Sequence, residues 1–312
     1  MQQFQHRLFD EIFLLHRQLK EKTYQHGSYQ AFNISDPKPR NIHKANVRDR
    51  LLHHAIYRQL YPFFDRTFIA NSYSCRISKG THRAMNRFRA LAYKVGKNHT
   101  RTVWVLKCDI QKFFASIDQR ILIDILRQYI PDPDVIWLIR QVVRSFNSGK
   151  LDKGLPLGNL TSQLLVNIYM NEFDQFVKHL LKIQSYIRYA DDFVILSPYK
   201  SLLESLIPKV ASFLKSRLAL TLHPNKVLIK TVASGVDFLG WVHFTDHRVL
   251  RTATKRRVLR NLNKNDSEKT VQSYFGLLRH GNTNKLKEKI TALALAFYLR
   301  FVLQSLSHVS KP

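Results

Sequence analysis

Two acidic residues between two short apolar runs limit how this chain can fold more than any other feature. Ser185–Tyr189 and Phe193–Ser197 are rich in β-branched and aromatic residues, which is typical of strands. The residues that separate them are Ala190, Asp191 and Asp192. So short a connection predicts a β-hairpin with two carboxylates at its tip. Adjacent aspartates are common in turns, but like charges held this close repel each other and call for a compensating cation.

A further apolar strand ends in a third carboxylate. Thr102–Cys108 has the composition of a strand and is followed directly by Asp109. A carboxylate that closes a buried strand is costly unless it is solvated, paired or bound to metal, although a lone aspartate here could also be a helix N-cap or turn residue. If the strands share a sheet, Asp109 lies beside Asp191 and Asp192. Carboxylates suit Mg²⁺, which also binds phosphate oxygens, so the set favours metal-dependent chemistry on a phosphate ester.

The chain around these carboxylates is strongly basic. Its 312 residues include 50 Lys and Arg against 22 Asp and Glu, a formal net charge of +28. Such an excess favours a nucleic-acid partner, because each phosphate that is neutralised releases counterions. A solubilising basic surface and an anionic membrane are the alternatives. The apolar run Ala292–Leu299 is too short to span a bilayer and the N-terminus lacks a signal-peptide core, so we expect no membrane association.

Composition excludes other classes of protein. Hydrophobic residues make up 45% of the chain, which excludes a disordered protein. Cys75 and Cys108 cannot build a disulfide framework or a cysteine-based zinc site, and the histidines follow no recognised metal-ligand spacing. We therefore expect a reducing, cytoplasmic setting.

Helix and strand patterns alternate in the order helices, strand, helices, hairpin, helix, strands, helices. This order predicts an α+β fold with an antiparallel sheet and a helical C-terminal domain. We place the boundary so that residues 1–248 form the first domain and residues 249–312 a basic helical one. The predicted helices cover Phe4–Leu19, Asn46–Leu60, Gln119–Tyr129, Pro133–Phe146, Leu160–Leu181 and Leu202–Leu218.

A series of segments in the same order resembles the motifs of reverse transcriptases. They are Arg48–Gly80 (fingers), Leu106–Asp118 (LKCDIQKFFASID, the first catalytic aspartate), Leu155–Asp174 (the substrate-and-template helix), Tyr189–Asp192 (YADD), His223–Lys226 (HPNK) and Val236–Trp241 (VDFLGW, the primer grip). The resemblance implies an RNA-directed DNA polymerase with a right-hand fold: fingers, an antiparallel-sheet palm carrying the YADD hairpin, and a helical thumb. It also implies a template RNA with a primer and dNTPs as partners.

The resemblance assigns the metal ligands and the nucleotide-binding residues. Asp109 and Asp191 would bind two Mg²⁺ ions directly, with Mn²⁺ as a possible substitute, and Asp192 would support them. Phe114 matches the steric gate against a ribose 2′-hydroxyl, although an ordinary core phenylalanine is the alternative. Lys226 matches a lysine near the leaving pyrophosphate, where it could act as a general acid. The remaining assignments are Arg76 and Lys79 on the triphosphate, Leu157, Gly158 and Gln163 in the templating pocket, and Lys255, Arg256, Arg257 and Arg260 on the template–primer backbone.

The subclass is indicated by one loop and one thumb segment. Leu157–Gln163 (LGNLTSQ) and Ser273–Thr283 resemble the enzymes of diversity-generating retroelements, which make errors at template adenines and act with a small accessory protein. Another bacterial reverse transcriptase (from a retron, a group II intron or a defence system) and a catalytically silent nucleic-acid-binding protein are the alternatives. The intact aspartates argue against the last.

Overall fold

The computed structural model describes residues 8–35, 39–263, 267–293 and 295. Phe4, which begins the predicted N-terminal helix, and most of the apolar run Ala292–Leu299 lie outside these residues. None of the helices in the described part of the chain combines the length and the apolar character needed to cross a bilayer.

The elements that precede the carboxylate hairpin are mostly helical. They are α1 (Leu8–Lys20), β1 (Gln30–Ile34), β2 (Arg40–Lys44), α2 (Val47–Thr67), α3 (Thr81–Val95), β3 (Trp104–Asp109), α4 (Phe113–Ser116), α5 (Gln119–Tyr129), α6 (Pro133–Arg144) and α7 (Leu160–Gln175), which continues as a π-helical segment (Phe176–Leu180). Side-chain caps define several helix starts: Asp118 accepts from the N–H groups of Arg120 and Ile121 at α5, and Asp132 caps α6 in the same way.

The second half carries the hairpin, a small sheet and the basic helices. The elements are β4 (Tyr186–Tyr189), β5 (Asp192–Ser197), α8 (Lys200–Leu218), β6 (Leu228–Thr231), β7 (Val236–Phe238), β8 (Trp241–His243), β9 (Arg248–Leu250), α9 (Thr252–Leu262) and α10 (Glu268–Leu278). The predicted hairpin and the antiparallel α+β architecture are confirmed.

The palm sheet has the strand order β4-β5-β3-β6, and its neighbouring strands are antiparallel. Strands β3, β4 and β5 are mostly buried because helices pack against them, whereas β6 at the edge is exposed or half-buried. Leu106 and Ile195, which face each other across β3 and β5, are both fully buried. Helix α7 is buried on most sides, between α2, α5 and α8, which is why an apolar face is hard to define in its sequence. The core therefore lies between the sheet and α5–α8, and the strand ends that carry Asp109 and Asp192 lie at its border.

A second sheet connects the palm to the basic helices. It has the order β7-β8-β9, and Trp241 and Leu250 on it share a core with Met85 of α3 and Val258 of α9. The expected domain boundary at residues 248/249 falls inside β9, so the division into 1–248 and 249–312 cuts a paired strand.

Several elements were not anticipated from sequence. Helix α3, with the sequence THRAMNRFRALAYKV, is strongly basic, and its apolar positions are separated by charged residues. Strands β6 and β9 are only four and three residues long, too short for a periodicity to stand out. The predicted helix over Asn46–Leu60 continues to Thr67 through Pro62. Residues of the helix before and after this proline are buried, and their packing offsets its missing N–H.

Candidate active site

Two neighbouring palm strands bring Asp109 and Asp192 together. Asp109 is the last residue of β3 and Asp192 the first residue of β5, and the two are direct partners in the antiparallel register. Tyr189 at the end of β4 is the other partner of Asp192, so Asp191 lies in the turn immediately beyond this pair. Residues that face each other across antiparallel strands have Cβ atoms roughly 5 Å apart, so three carboxylates share one strand end. The sheet pairing predicted from sequence, which brings Asp109 beside the hairpin carboxylates, is confirmed.

The backbone of the hairpin turn is strained, and a hydrogen bond from Arg188 stabilises it. Ala190 has a φ of 55°, in the left-handed region that favours glycine. The carbonyl of Ala190 accepts a 3.1 Å hydrogen bond from Nη1 of the buried Arg188. This contact holds the turn in the conformation that presents Asp191 and Asp192 side by side.

The environment disfavours negative charge on both hairpin carboxylates. Burial raises the pKa of Asp192 to about 7, with Asp191 and Asp109 adding to the rise and Lys107 opposing it. Burial likewise raises the pKa of Asp191, with Asp109 acting in the same direction and Lys226 and Arg40 opposing it. Carboxylates that are difficult to ionise in a cleft are typical of functional sites, because a cation is needed to stabilise their charged form.

Two lysines contact the carboxylates. Nζ of Lys226 lies 3.0 Å from Oδ1 of Asp109, and Nζ of Lys107 lies 3.6 Å from Oδ2 of Asp192. Lys107 also donates a 2.6 Å hydrogen bond to the carbonyl of Asp237 in β7, which anchors its side chain to the second sheet. The lysines thus offset part of the charge of the cluster.

The residues fit a divalent cation. Oδ1 of Asp192 is buried and has no hydrogen-bond partner among the described residues, so one hard oxygen ligand is left unsatisfied within the cluster. Across that part of the chain, no three His, Cys, Asp or Glu side chains already converge as a metal site. In this conformation the carboxylates of Asp109 and Asp192 contact Lys226 and Lys107, and a shared ion would compete with these contacts.

Two of the predicted templating residues, Leu157 and Gly158, lie on the loop that precedes α7 and is joined to β2, whereas Gln163 lies in the first turn of α7. The N–H of His43 donates to the carbonyl of Leu157 at 2.9 Å, and Nδ2 of Asn159 donates to the carbonyl of His43 at 3.0 Å. Gly158 has a φ of 107°, and a Cβ there would lie 2.7 Å from Cγ2 of Ile42, so the close approach requires glycine. Leu157 and Gln163 are half-buried.

Phe114, Arg76 and Lys79 have contrasting surroundings. Phe114 is partly buried in α4, edge-on to Phe113 with ring centroids 5.5 Å apart, so part of its ring stays accessible. The guanidinium of Arg76 is occupied within the fingers: it binds Asp65 at 2.6 Å and the carbonyls of Ile69 and Ser72. Nζ of Lys79 donates to the carbonyl of Ala70 at 2.8 Å from an exposed position. In this conformation Arg76 does not offer its donors to a ligand.

The predicted thumb residues lie on α9. Arg257 and Arg260 line a surface groove together with Gly240 and Trp241 of the second sheet, whereas Arg256 is exposed and Lys255 half-buried. The four basic side chains therefore spread around the helix and do not all face one way.

Sequence reasoning missed the residues that support the cluster. Lys107 interrupts an apolar strand two positions before Asp109, a signal that could have been used. Arg40 is the first residue of β2 and acts electrostatically on Asp191. Asn159 was part of a recognised motif, but its contact with β2 depends on residues far away in the chain.

Comparisons with known proteins agree with this geometry. The family model for reverse transcriptase (RNA-dependent DNA polymerase) matches residues 34–243, more than half of the chain. Protein YkfC of Escherichia coli is 27% identical over 307 residues, covering 85% of this chain and 78% of YkfC. The group II intron-encoded protein LtrA of Lactococcus lactis is 21% identical over 318 residues, covering 80% of this chain but 51% of LtrA.

Solved structures agree on the fold. Telomerase from Candida albicans, solved in complex with a fragment of telomeric RNA, matches with a TM-score of 0.55 at 12% identity, over 88% of this chain and 56% of the telomerase chain. The right-hand polymerase fold is thereby confirmed. With the family model spanning all three carboxylates and the palm sheet, the chain belongs to the reverse transcriptase family, the RNA-dependent DNA polymerases.

Proposed function

We propose that this chain copies an RNA template into cDNA at the cluster of Asp109, Asp191 and Asp192, with Mg²⁺ as its metal. The observation that carries the proposal is that Asp109 and Asp192 are register partners with Asp191 in the adjoining turn, where burial and mutual repulsion raise the pKa values of Asp191 and Asp192. A basic chain, with a net charge of +28, supports a nucleic-acid substrate.

Each side chain has a distinct part in the proposed reaction. Two Mg²⁺ ions would activate the primer 3′-hydroxyl and stabilise the leaving pyrophosphate during in-line displacement. Asp109 and Asp191 would hold these ions, and Asp192 would add a supporting oxygen while Lys107 fixes its carboxylate. Lys226, which lies 3.0 Å from Asp109, would turn towards the pyrophosphate as a proton donor.

The incoming nucleotide would be bound from the fingers and from residues 157–163, which cover the loop before α7 and the first turn of that helix. Phe114 would exclude a ribose 2′-hydroxyl, and Leu157, Gly158 and Gln163 would contact the nascent base pair. Lys79 and Arg40 would meet the triphosphate; Arg40 is favoured because its charge already reaches Asp191. Arg76 would join them after releasing Asp65. The basic side chains of α9 would hold the template–primer duplex, which supports a functional division of the chain into 1–248 and 249–312.

We further propose that the enzyme serves a diversity-generating retroelement, with a small accessory protein as its partner. The apolar Leu157 in the templating loop supports this assignment, because it supplies no hydrogen bond to the base pair. The similarity to LtrA favours a second candidate, a group II intron-like reverse transcriptase. Sequencing the cDNA made from RNA that copurifies with the protein separates the two: errors concentrated at template adenines support the first, and uniformly rare errors support the second.

The polymerase proposal is tested by primer extension with Mg²⁺. Asp191→Asn keeps the shape of the side chain and removes its charge, so extension should be abolished while RNA binding is retained. Asp246→Asn, which alters an exposed aspartate between β8 and β9, is the matched control and should extend normally. Near-normal extension by Asp191→Asn would refute the site, and a wild-type protein that binds RNA but never extends a primer would identify a silent binding protein.

A further inference from the structure

A basic groove lies between α5 and α6, separate from the carboxylate cleft. It has a cavity volume of about 310 Å³. Its lining includes Arg120 and Arg127 from α5, Arg140 and Arg144 from α6, and Asp152 from the following loop. None of its lining residues borders the cleft that contains Asp109, Asp192 and Lys226. The groove is therefore a second concave surface with its own chemistry.

Two of the four arginines have partners within the groove. Nη2 of Arg120 lies 2.7 Å from Asp152, and Nη1 of Arg127 lies 3.0 Å from Asp124. The Arg127–Asp124 pair is exposed on both sides, and Arg120 is mostly exposed although Asp152 is partly buried. Water and salt therefore screen these contacts, and a competing anion can replace the Arg127–Asp124 pair at little cost.

Arg140 and Arg144 have no hydrogen-bonding or carboxylate partner among the described residues. They are one helical turn apart on α6, so their charges repel each other along one face of the helix. Guanidinium groups present a planar set of donors that suits phosphate oxygens, often through two parallel hydrogen bonds. An anion in the groove would satisfy both side chains and relieve their repulsion.

The floor of the groove also lacks a hydrogen-bond donor. Gln119 is 2% exposed, and its Nε2 donates to the carbonyls of Phe146 at 2.7 Å and Gly154 at 2.9 Å. Its Oε1 is buried without any donor among the described residues. A phosphodiester group supplies acceptors only, whereas an RNA strand supplies such groups for the arginines and also ribose hydroxyl donors.

We propose that this groove binds the phosphate backbone of RNA at a site outside the polymerase cleft. The net charge of +28 favours a polyanion over an acidic protein segment. Helix α6 is well placed for this role, because Ile136, Ile139 and Val143 anchor it in the main core while the arginine face stays free. The site would hold a stretch of the RNA that is not being copied and keep the enzyme on its template.

The test is equilibrium binding of a long structured RNA, without nucleotides, over a range of NaCl concentrations. The double variant Arg140→Gln with Arg144→Gln should bind more weakly, and its log Kd should depend less steeply on log salt, by about one unit for each phosphate that the groove no longer neutralises. Extension of a short primer–template that fills only the cleft should be unchanged. Because RNA binding is measured without nucleotides, a failure of the groove proposal is distinguishable from a failure of the proposed polymerase chemistry.

Two control variants separate a specific site from net charge and from misfolding. Lys209→Gln with Lys215→Gln removes the same charge from exposed positions of α8 and should keep the wild-type salt slope. Arg140→Lys with Arg144→Lys keeps the charge and should restore most of that slope. The proposal is overturned if Arg140→Gln with Arg144→Gln and Lys209→Gln with Lys215→Gln weaken RNA binding equally, or if the arginine-to-glutamine variant also loses short-template extension. It is also overturned if the arginine-to-glutamine variant binds RNA like the wild type, in which case an acidic protein becomes the partner.

Discussion

Two clusters of charged side chains, one below the turn of the β4–β5 hairpin and one at that turn, are built differently. Below the turn, Arg188 of β4 forms a bidentate pair with Asp174 of α7, with donor–acceptor distances of 2.8 and 2.7 Å, and both side chains are fully buried. Tyr186 donates to the same carboxylate, while Asn167 and Ser72 accept from the guanidinium. In this cluster every charge is matched by an opposite charge.

At the turn, three carboxylates face two nearby lysines, and Oδ1 of Asp192 has no partner among the described residues. Burial lowers the pKa of Arg188, but Asp174 outweighs it and raises that pKa, which keeps the guanidinium charged. Burial and like charges instead raise the pKa values of Asp191 and Asp192. The comparison teaches that the cluster of Arg188 and Asp174 is closed, since its charges pair with each other, and serves the fold. The cluster of Asp109, Asp191 and Asp192 is open, since it holds surplus negative charge that a cation can neutralise.

The largest expected effect comes from opening the closed cluster. Asp174→Asn leaves the guanidinium of Arg188 buried without a counterion and should lower the free energy of unfolding by about 3–5 kcal/mol. Asp191→Asn, the same substitution at the turn, should leave the stability unchanged or slightly higher, because it removes repulsion. Urea unfolding of both variants measures this difference, and equal destabilisation would remove the distinction between the clusters.

The open cluster should respond to pH through Asp192. Because the pKa of Asp192 is about 7, above its ordinary 3.8, protons compete with Mg²⁺ at this carboxylate below pH 7. The affinity for Mg²⁺ should fall as pH falls, by up to about tenfold per unit. Without metal, the free energy of unfolding should depend on pH in the opposite direction. The native state holds the proton of Asp192 more tightly than the unfolded state does, so stability should decline as pH rises from 3.8 to about 7. Calorimetry of Mg²⁺ binding and unfolding at several pH values checks both trends.

Lys107 sharpens the comparison within the open cluster. It lowers the pKa of Asp192 from 3.6 Å away, so Lys107→Met should move the pH midpoint of Mg²⁺ binding upward by on the order of one unit. Lys107→Arg should keep the midpoint near that of the wild type. An unmoved midpoint in Lys107→Met would mean that the lysine only packs against Asp237.

The smallest expected effect comes from the templating loop, which belongs to neither cluster. Leu157→Gln adds an amide that can hydrogen-bond to the nascent base pair, so misincorporation opposite template adenines should fall by at most about tenfold, equivalent to about 1.4 kcal/mol. Sequencing cDNA from both enzymes on one RNA template measures the change. Identical error spectra from two active enzymes would show that Leu157 only packs the loop.

The carboxylate cluster was predictable from sequence because its geometry is local. A two-residue turn fixes Asp191 and Asp192 relative to their strands, and an apolar strand that ends in Asp109 needs only antiparallel pairing to join them. The supporting contacts were not predictable, because Lys107 reaches Asp237 from 130 positions away and Asn159 reaches His43 from 116 positions away. Arg76 shows the same limit: its position in a motif did not reveal that Asp65 already occupies its guanidinium.

The most direct test of the central claim is thermal unfolding with and without Mg²⁺ for the wild type and Asp191→Asn. A ligand that binds only the folded state raises the unfolding midpoint with its concentration. The wild type should gain stability as Mg²⁺ is added, because the ion neutralises the surplus charge at Asp109, Asp191 and Asp192. Asp191→Asn should be at least as stable without Mg²⁺ and gain much less from it. Equal gains by the two proteins would contradict the claim that this cluster is the metal centre of the polymerase.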